Sequence, residues 1–360
     1  MSALRIGVAG DWHGNRTWAL RCVQGFADAG IGEIFHLGDF GIWPGPGGRR
    51  YLLDVEAALS SHAMTLFVTP GNHEDYDQIN QVPVLNKGRD IGAVQWLSDS
   101  IALLPRGHRW QRQGWSFVSL GGAPSIDRWS RRANIDWWAA EAITPADVER
   151  VVEAGPAEVM LAHDAPDAGL GTLRVASILR NNPIGWPGYA LNYAAEGRAR
   201  MTAAFLAVEP RLFLHGHFHV HDEAWIEHFD HPTHVVSLDC DGMPEGNLVV
   251  VTLPDRSSGE HPEELEEPGV EWLMVAADHP RSGFPDDQVA PNAPVSEWSL
   301  DDVVGVLDNG RSVHWKALAR VARRDDLAFG SLLAQALRLT SNDLARDYVH
   351  RVLASLDRVG

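Results

Sequence analysis

Five short apolar runs in this 360-residue chain each lead into a cluster of glycine, aspartate, asparagine or histidine. The runs cover residues 4–9, 34–37, 64–68, 159–162 and 212–214, lengths that suit buried β-strands. The segments that follow them are Asp11-Trp12-His13, Gly38-Asp39, Gly71-Asn72-His73-Glu74, His163-Asp164 and His215-Gly216-His217-Phe218-His219. Their donor atoms are nitrogen and oxygen, and none of these residues is cysteine. Strands spaced this way, with helical stretches between the first three, place such groups at the carboxyl ends of strands, where α/β sites lie. Carboxylate, amide and imidazole groups gathered there suit a centre of two cations bridged by one carboxylate.

The early part of the chain reads as βαβαβ. Helices are expected at residues 17–29, stopped by Gly30, and at 51–59, between the first three strands. A further strand at 115–120 is closed by Gly121-Gly122. Thr144-Pro145-Ala146-Asp147 opens a helix with Thr at the N-cap, Pro at N1 and an acid at N3, and Gly155 ends it. Residues 235–238 and 248–253 read as a terminal strand pair joined across 241–246. The texture then changes. The organisation expected is a catalytic domain at 1–253, an acidic Pro/Gly-rich linker at 254–298 and a small helical region at 299–360. The linker contains Glu263-Glu264-Leu265-Glu266-Glu267 and a candidate strand at 272–276. The final region reads as helices at 300–307, 313–321, 329–337 and 344–356.

Composition narrows the function classes. With 45% hydrophobic residues the chain can bury a sizeable core, and its formal net charge is -18. Such a charge opposes long nucleic acid and anionic membranes on average. A phosphate ester stays compatible, because bound cations invert the local potential. No apolar run reaches the ~18 residues of a membrane span. The first ten residues lead straight into a strand, with no charged segment before an apolar one, which argues against a signal peptide. Cys22 and Cys240 sit in apolar surroundings and read as two buried thiols of a cytoplasmic protein.

Each motif alone has an ordinary structural explanation. Asp-x-His is common in surface loops, and aspartate after a strand commonly caps a turn. Asn72 suits a left-handed or capping position. A lone histidine such as His163 is more often a satisfied rim residue, and a His-rich loop binds adventitious metal. Their order is more specific. The series D-x-H, G-D, G-N-H, H and G-H-x-H resembles the metallophosphoesterase superfamily, the calcineurin-like phosphoesterases, over residues 6 to about 253.

That resemblance implies a four-layer α/β/β/α sandwich of two mixed sheets; the strand alternation by itself supports α/β only. It implies two divalent metal ions, Mn2+ first, with Fe or Zn2+ also compatible. Asp11, His13, Asp39 and His219 would hold one ion, and Asp39, Asn72, His163 and His217 the other. Asp39 would bridge, a metal-bridging hydroxide would attack phosphorus, and His73 would protonate the leaving oxygen as general acid. The second motif departs from the phosphoprotein phosphatases of the superfamily, which continue G-D-x-V-D-R-G. Here Gly38-Asp39 runs into Phe40-Gly41-Ile42-Trp43-Pro44, without the second carboxylate or the arginine. Asp75 or another carboxylate is a candidate to orient His73 in its place.

Substrate contacts are expected from Arg128, Arg131 and Arg132, which follow the strand at 115–120 and lie among Trp129, Trp137 and Trp138. Trp12 and Trp43 flank the motifs, where packing is their ordinary role. The leading expectation is a metal-dependent hydrolase of phosphomonoesters or phosphodiesters, acting on a small molecule, a nucleotide or a phosphopeptide. One alternative is a Ser/Thr phosphoprotein phosphatase. Another is a metal-stabilised scaffold that recruits a protein partner through its C-terminal region; the presence of His73 weighs against it, since a scaffold needs no proton donor.

Overall fold

A computed structural model describes residues 3–167, 169–257 and 267–275, then residues 327–340 and scattered positions between 300 and 353. The chain divides into two compact units, Met1–Ala276 and Ala277–Gly360. The first unit contains two mixed sheets. One has the strand order β14-β13-β1-β2-β3-β6-β5-β4 and the other β11-β12-β10-β9-β8-β7. The strands are β1 (Leu4–Ala9), β2 (Glu33–His36), β3 (Thr65–Val68), β4 (Val84–Asn86), β5 (Ala93–Trp96), β6 (Ile101–Leu103), β7 (His108–Arg112), β8 (Trp115–Leu120), β9 (Val159–Ala162), β10 (Leu212–His215), β11 (Asp222–Ile226), β12 (Thr233–Ser237), β13 (Leu248–Leu253) and β14 (Gly269–Leu273). The centre of each sheet is parallel, and antiparallel strands flank it.

The period-two alternation of side chains explains why strands that read as uninterrupted apolar runs serve two cores. Ile6, Val8, Phe35, Leu37 and Phe67 of the first sheet meet Phe117, Val159, Leu161, Leu212 and Leu214 of the second in one shared core. The intervening residues of the second sheet, Val118, Leu120, Met160, Ala162 and Phe213, point the other way. There they pack against Val151 of α4 (Pro145–Glu153) and Met201, Phe205 and Val208 of α6 (Gly188–Val208). On the outer face of the first sheet, Gly7 of β1 leaves room for the Phe26 ring of α1 (Arg16–Asp28). The result is the α/β/β/α sandwich.

Local chemistry sets the helix ends. Asn15 caps α1 by accepting from the Trp18 N–H, and α1 buries Trp18, Ala19, Cys22, Val23 and Phe26 at helical spacing. Thr144 and Asp147 form a full capping box on α4, and Gly155 follows it at φ +74°. The second expected helix extends further, as α2 (Gly45–Ser61). Short α3 (Tyr76–Ile79) and α5 (Leu173–Asn181) complete this unit.

One expectation fails. Residues 233–237 and 248–253 do not pair with each other. β12 lies beside β10 in one sheet, and β13 pairs antiparallel with β1 in the other. The loop between them crosses the sandwich, and Asp239 N–H bonds to the Gly246 carbonyl at its base. Both strands are buried on both faces, so each takes an interior place in its own sheet. A strand does occur after residue 253, but at Gly269–Leu273, against β13.

In the second unit, α7 (Leu327–Leu339) spans the expected helix at 329–337. Leu333, Ala336 and Leu337 pack with Val303, Leu307, Ala345 and Val349. The expected helix at 313–321 lies outside the described residues, as does most of the acidic stretch. Among the described residues no helix is long and apolar enough to cross a membrane.

A Cβ on residue 7 would lie 2.6 Å from the buried Phe26 ring. Gly7→Val should therefore destabilise the first unit by about 1–3 kcal/mol. Urea unfolding should show a lower midpoint with an unchanged slope.

Candidate metal centre

The donors of both sheets meet at the carboxyl ends of the central strands. β1 leads to Asp11 and His13, β2 to Asp39, and β3 to Asn72 and His73 in one sheet; β9 leads to His163 and β10 to His217 and His219 in the other. Donor atoms of Asp11, His13, Asp39 and His219 all lie within 4.8 Å of one another. His219 Nε2 is 2.9 Å from Asp11 Oδ2, and His13 Nε2 is 3.5 Å from Asp39 Oδ2. The other Asp39 oxygen, Oδ1, lies 3.5 Å from His163 Nε2. His163 Nε2 is in turn 2.8 Å from Asn72 Oδ1, and its ring centre is 5.0 Å from that of His217. The donor residues of the five motifs thus gather around one carboxylate.

Backbone conformation brings them there at a cost. Four of the nine described non-glycine residues with positive φ are His13, Asp39, His217 and His219. Left-handed backbone costs on the order of 1–3 kcal/mol for such residues and persists where the surroundings enforce it. Close approach also requires glycine at two places. A Cβ on Gly71 would lie 2.2 Å from Asp39 Oδ1, and one on Gly216 would lie 2.1 Å from Asp11 Oδ1.

Several supports carry no motif of their own in the sequence. Asp241 accepts from His13 Nδ1 at 2.9 Å and from Asn15 Nδ2 at 2.8 Å, turning His13 Nε2 toward Asp39. Glu74, fully buried, accepts from the backbone N–H groups of Phe40, Gly41 and Ile42 and so holds the loop that presents Asp39. Asn247 receives both the Trp12 and Trp18 indole N–H groups and donates to the Asp239 carbonyl. Trp12 is therefore a buried packing residue beneath the centre. Trp43 donates from Nε1 to the His73 carbonyl. These partners come from residues far apart in the chain, and only Glu74, Trp12 and Trp43 lie in or beside a motif.

The electrostatics follow from burial. Asp11 and Asp39 are 0% and 1% exposed. Burial pushes the Asp11 carboxyl up to about 6, whereas the nearby His73, His163 and His13 imidazoles overcome burial and hold Asp39 well below the usual range. Burial disfavours the His13 imidazolium, but bonds to Asp241 and Asp39 outweigh it and raise the group to about 10. Burial, with Asp39 next, lifts Glu74 to about 7. Buried carboxylates ringed by imidazoles require compensating positive charge, as protons or as metal cations.

The donor set itself fits cations. His163 Nδ1 lies 2.7 Å from the Leu37 carbonyl, which can only accept, so Nδ1 carries the proton. In the neutral ring the lone pair on Nε2 then points at Asn72 Oδ1 and Asp39 Oδ1, an arrangement that repels unless a proton on Nε2, which Asp39 and Asp11 favour against burial, or a metal cation lies among the three.

His73 stands at the rim with a side chain 22% exposed. Its backbone N–H donates to Asp39 Oδ1 at 2.8 Å, and its Nε2 is 3.3 Å from Arg131 Nη2. Burial, then the Arg131 charge, push its pKa down to about 4. Asp75 does not orient it; that carboxylate caps α3 through Asp77 and Gln78. The three arginines separate. Arg131 reaches His73 while Asp127 grips its guanidinium at 2.8 and 3.0 Å. Arg128 lies 4.3 Å from the Trp129 ring centre and 4.1 Å from that of Tyr193. Arg132, 65% exposed, pairs with Asp136 at the surface. Trp137 neighbours Arg128, and Trp138 is buried with its Nε1 on Asp77.

Two substitutions test this scaffold. Asp241→Ala should weaken binding of the tightest Mn2+ about 10–100-fold, as loss of a histidine's supporting carboxylate does. Gly216→Ala should weaken it by displacing Asp11. Titration calorimetry on metal-free protein measures both, and unchanged affinity in Asp241→Ala would show that His13 needs no such support.

No curated protein matches the chain. Similar solved structures include a dimetal phosphatase from Danio rerio, 10% identical with a TM-score of 0.44, over 77% of this chain and 100% of that one. Another is TT1561 of Thermus thermophilus, 12% identical with a TM-score of 0.41, over 76% and 100%. A third is the phosphopantetheinyl hydrolase of Mycobacterium tuberculosis, 12% identical with a TM-score of 0.33, over 81% and 99%. A family model described as calcineurin-like phosphoesterase matches residues 4–221, more than half of the sequence and all of the donor motifs. The chain belongs to the calcineurin-like phosphoesterase family.

Proposed function

We propose that the protein is a dinuclear metal-dependent hydrolase of phosphomonoesters or phosphodiesters. Asp11, His13, Asp39 and His219 hold one divalent cation; Asp39, Asn72, His163 and His217 hold the other. The observation that carries this reading is the Asp39 carboxylate, with one oxygen 3.5 Å from His13 and the other 3.5 Å from His163. When bound, the two ions supply Lewis acidity and an activated nucleophile. Imidazole, carboxylate and amide donors admit Mn2+, Fe and Zn2+, and Mn2+ is the ion to load first. The buried thiols Cys22 and Cys240 suit a reducing, cytoplasmic setting.

The chain's own residues divide the remaining work. Arg131 supplies a fixed positive charge beside His73. At rest the His73 imidazole is neutral, because burial and Arg131 disfavour its charge. A phosphoryl anion gripped by Arg131 reverses that balance and favours the imidazolium, which then protonates the leaving oxygen. The backbone bonds of His73 to Asp39 and Trp43 hold its main chain beside Asp39.

Small esters bearing an aryl group or a base are favoured over phosphopeptides by one observation. Trp129 and Tyr189 are 47% and 57% exposed and meet edge to face at 4.6 Å, with Trp129 two residues along the chain from Arg131. They offer planar faces to an aromatic leaving group.

Asp39→Asn should abolish Mn2+-dependent turnover, and retention of full activity would refute the assignment. His73→Asn should lower kcat on alkyl phosphates about 10²–10⁴-fold. The same variant should lose far less on p-nitrophenyl phosphate, whose leaving group departs without a proton. Arg131→Ala should lower kcat/KM at least tenfold, and Arg132→Ala should leave it within a factor of two, as suits a charge paired at the surface.

A further inference from the structure

Glu141 is fully buried, ionisable and unused by the chemistry above. It lies just beyond the strand end at β8, in a short turn of 3-10 helix, Ala139–Glu141. Arg106 anchors that turn, donating from Nη2 to the Ala140 and Glu141 carbonyls and from Nε to the Gly121 carbonyl. The Glu141 carboxylate receives three bonds. Ser125 N–H donates to Oε1 at 2.7 Å, Tyr193 O–H to Oε1 at 3.1 Å and Ser125 O–H to Oε2 at 2.6 Å. Ser125 is 1% exposed, and its Oγ also lies 2.9 Å from Asn72 Nδ2.

Counting protons along this path gives a direction. Burial lifts the Glu141 carboxyl to about 7, so above that pH it is a carboxylate that only accepts, and Ser125 gives it the one proton of its hydroxyl. Ser125 Oγ can then only accept from Asn72, so the NH2 of that carboxamide must face Ser125. The Asn72 oxygen is thereby turned to the opposite side, toward His163 Nε2 and Asp39. The two ends of a carboxamide have nearly the same shape, so packing alone does not select between them. The reversed amide would direct N–H groups, which hold no available lone pair, at a cation.

We infer that Glu141, acting through Ser125, is a positioning residue that selects which end of the Asn72 carboxamide faces the second cation. The inference rests on the dinuclear reading for its consequence, but the orientation itself is a property of the metal-free chain. The substitution Glu141→Gln keeps the size and burial of the side chain but introduces an NH2 that donates to Ser125 Oγ. The Ser125 proton would then be free to turn to Asn72 and reverse the amide.

The test uses the full chain as Glu141→Gln and, separately, Ser125→Ala, each checked for an unchanged fold by circular dichroism. In metal-free protein, the side-chain NH2 resonances of Asn72, assigned by their loss in Asn72→Asp, should shift in both variants. With Mn2+, wild type should give the electron paramagnetic resonance spectrum of an exchange-coupled pair. Both variants should instead give the six-line spectrum of single ions, with second-ion affinity down about 10–100-fold and first-ion affinity retained. Unmoved Asn72 resonances and an intact coupled pair in both variants would overturn the inference and leave the phosphoesterase reading standing. If wild type binds no pair of ions, it is the dinuclear reading that fails, and the Asn72 resonances decide the orientation alone.

Discussion

A hydrogen bond between the two sheets sets the geometry on which the rest of the site depends. His163, at the end of β9, donates from Nδ1 to the Leu37 carbonyl at the end of β2. It selects the tautomer of the ring and aims Nε2 at Asp39 and Asn72. Gly38 makes the approach possible, since a Cβ there would lie 2.4 Å from the His163 ring. The bond can form only because the apolar faces of the two sheets are packed together, from Ile6 and Val8 on one side to Leu161 and Leu214 on the other. Hydrophobic burial thus brings the strand ends together, and one polar contact sets their final register.

The strain of the arrangement is visible in its backbone and its charges. Two buried carboxylates, several imidazoles and four left-handed residues occupy a small volume. None of these features is stable alone. Glu74 ties down the Asp39 loop, Asp241 holds His13, and Asn247 gathers Trp12, Trp18 and Asp239 beneath the first donors. Nearly every support is itself buried and hydrogen-bonded, so the centre is preorganised rather than assembled by its substrate. The rim around Arg131 differs. Arg131 is fixed by Asp127, whereas Trp129 and Tyr189 are open to solvent.

Much of the first unit was legible in the chain. Parallel strands that serve two cores appear as unbroken apolar runs, and glycine or a capping residue marks where each ends. That made β1, β2, β3, β8, β9 and β10 readable, along with α1 and α4. Short edge strands carry no such run: β4 is exposed along its whole length, and β7 buries only Trp110. α6 is small-residue rich, with buried alanines and Gly197 along its length, and its amphipathic pattern is faint. The strands at 233–237 and 248–253 looked like neighbours because sequence proximity is a good guide to hairpins. It fails here because both are interior strands buried on both faces, and each belongs to a different sheet.

The sequence by itself determined which atoms are available: nitrogen and oxygen donors, placed in order just beyond strand ends, with glycine where chains must approach closely. Those are local properties, written in residue type and spacing. Only the tertiary structure decided that Asp39 turns one oxygen to each donor set, that Asp241 rather than a nearer carboxylate supports His13, and that Arg131 alone of three arginines reaches His73. These outcomes join residues from tens to more than two hundred positions apart. They depend on how two sheets stack and twist against each other, which no local pattern encodes.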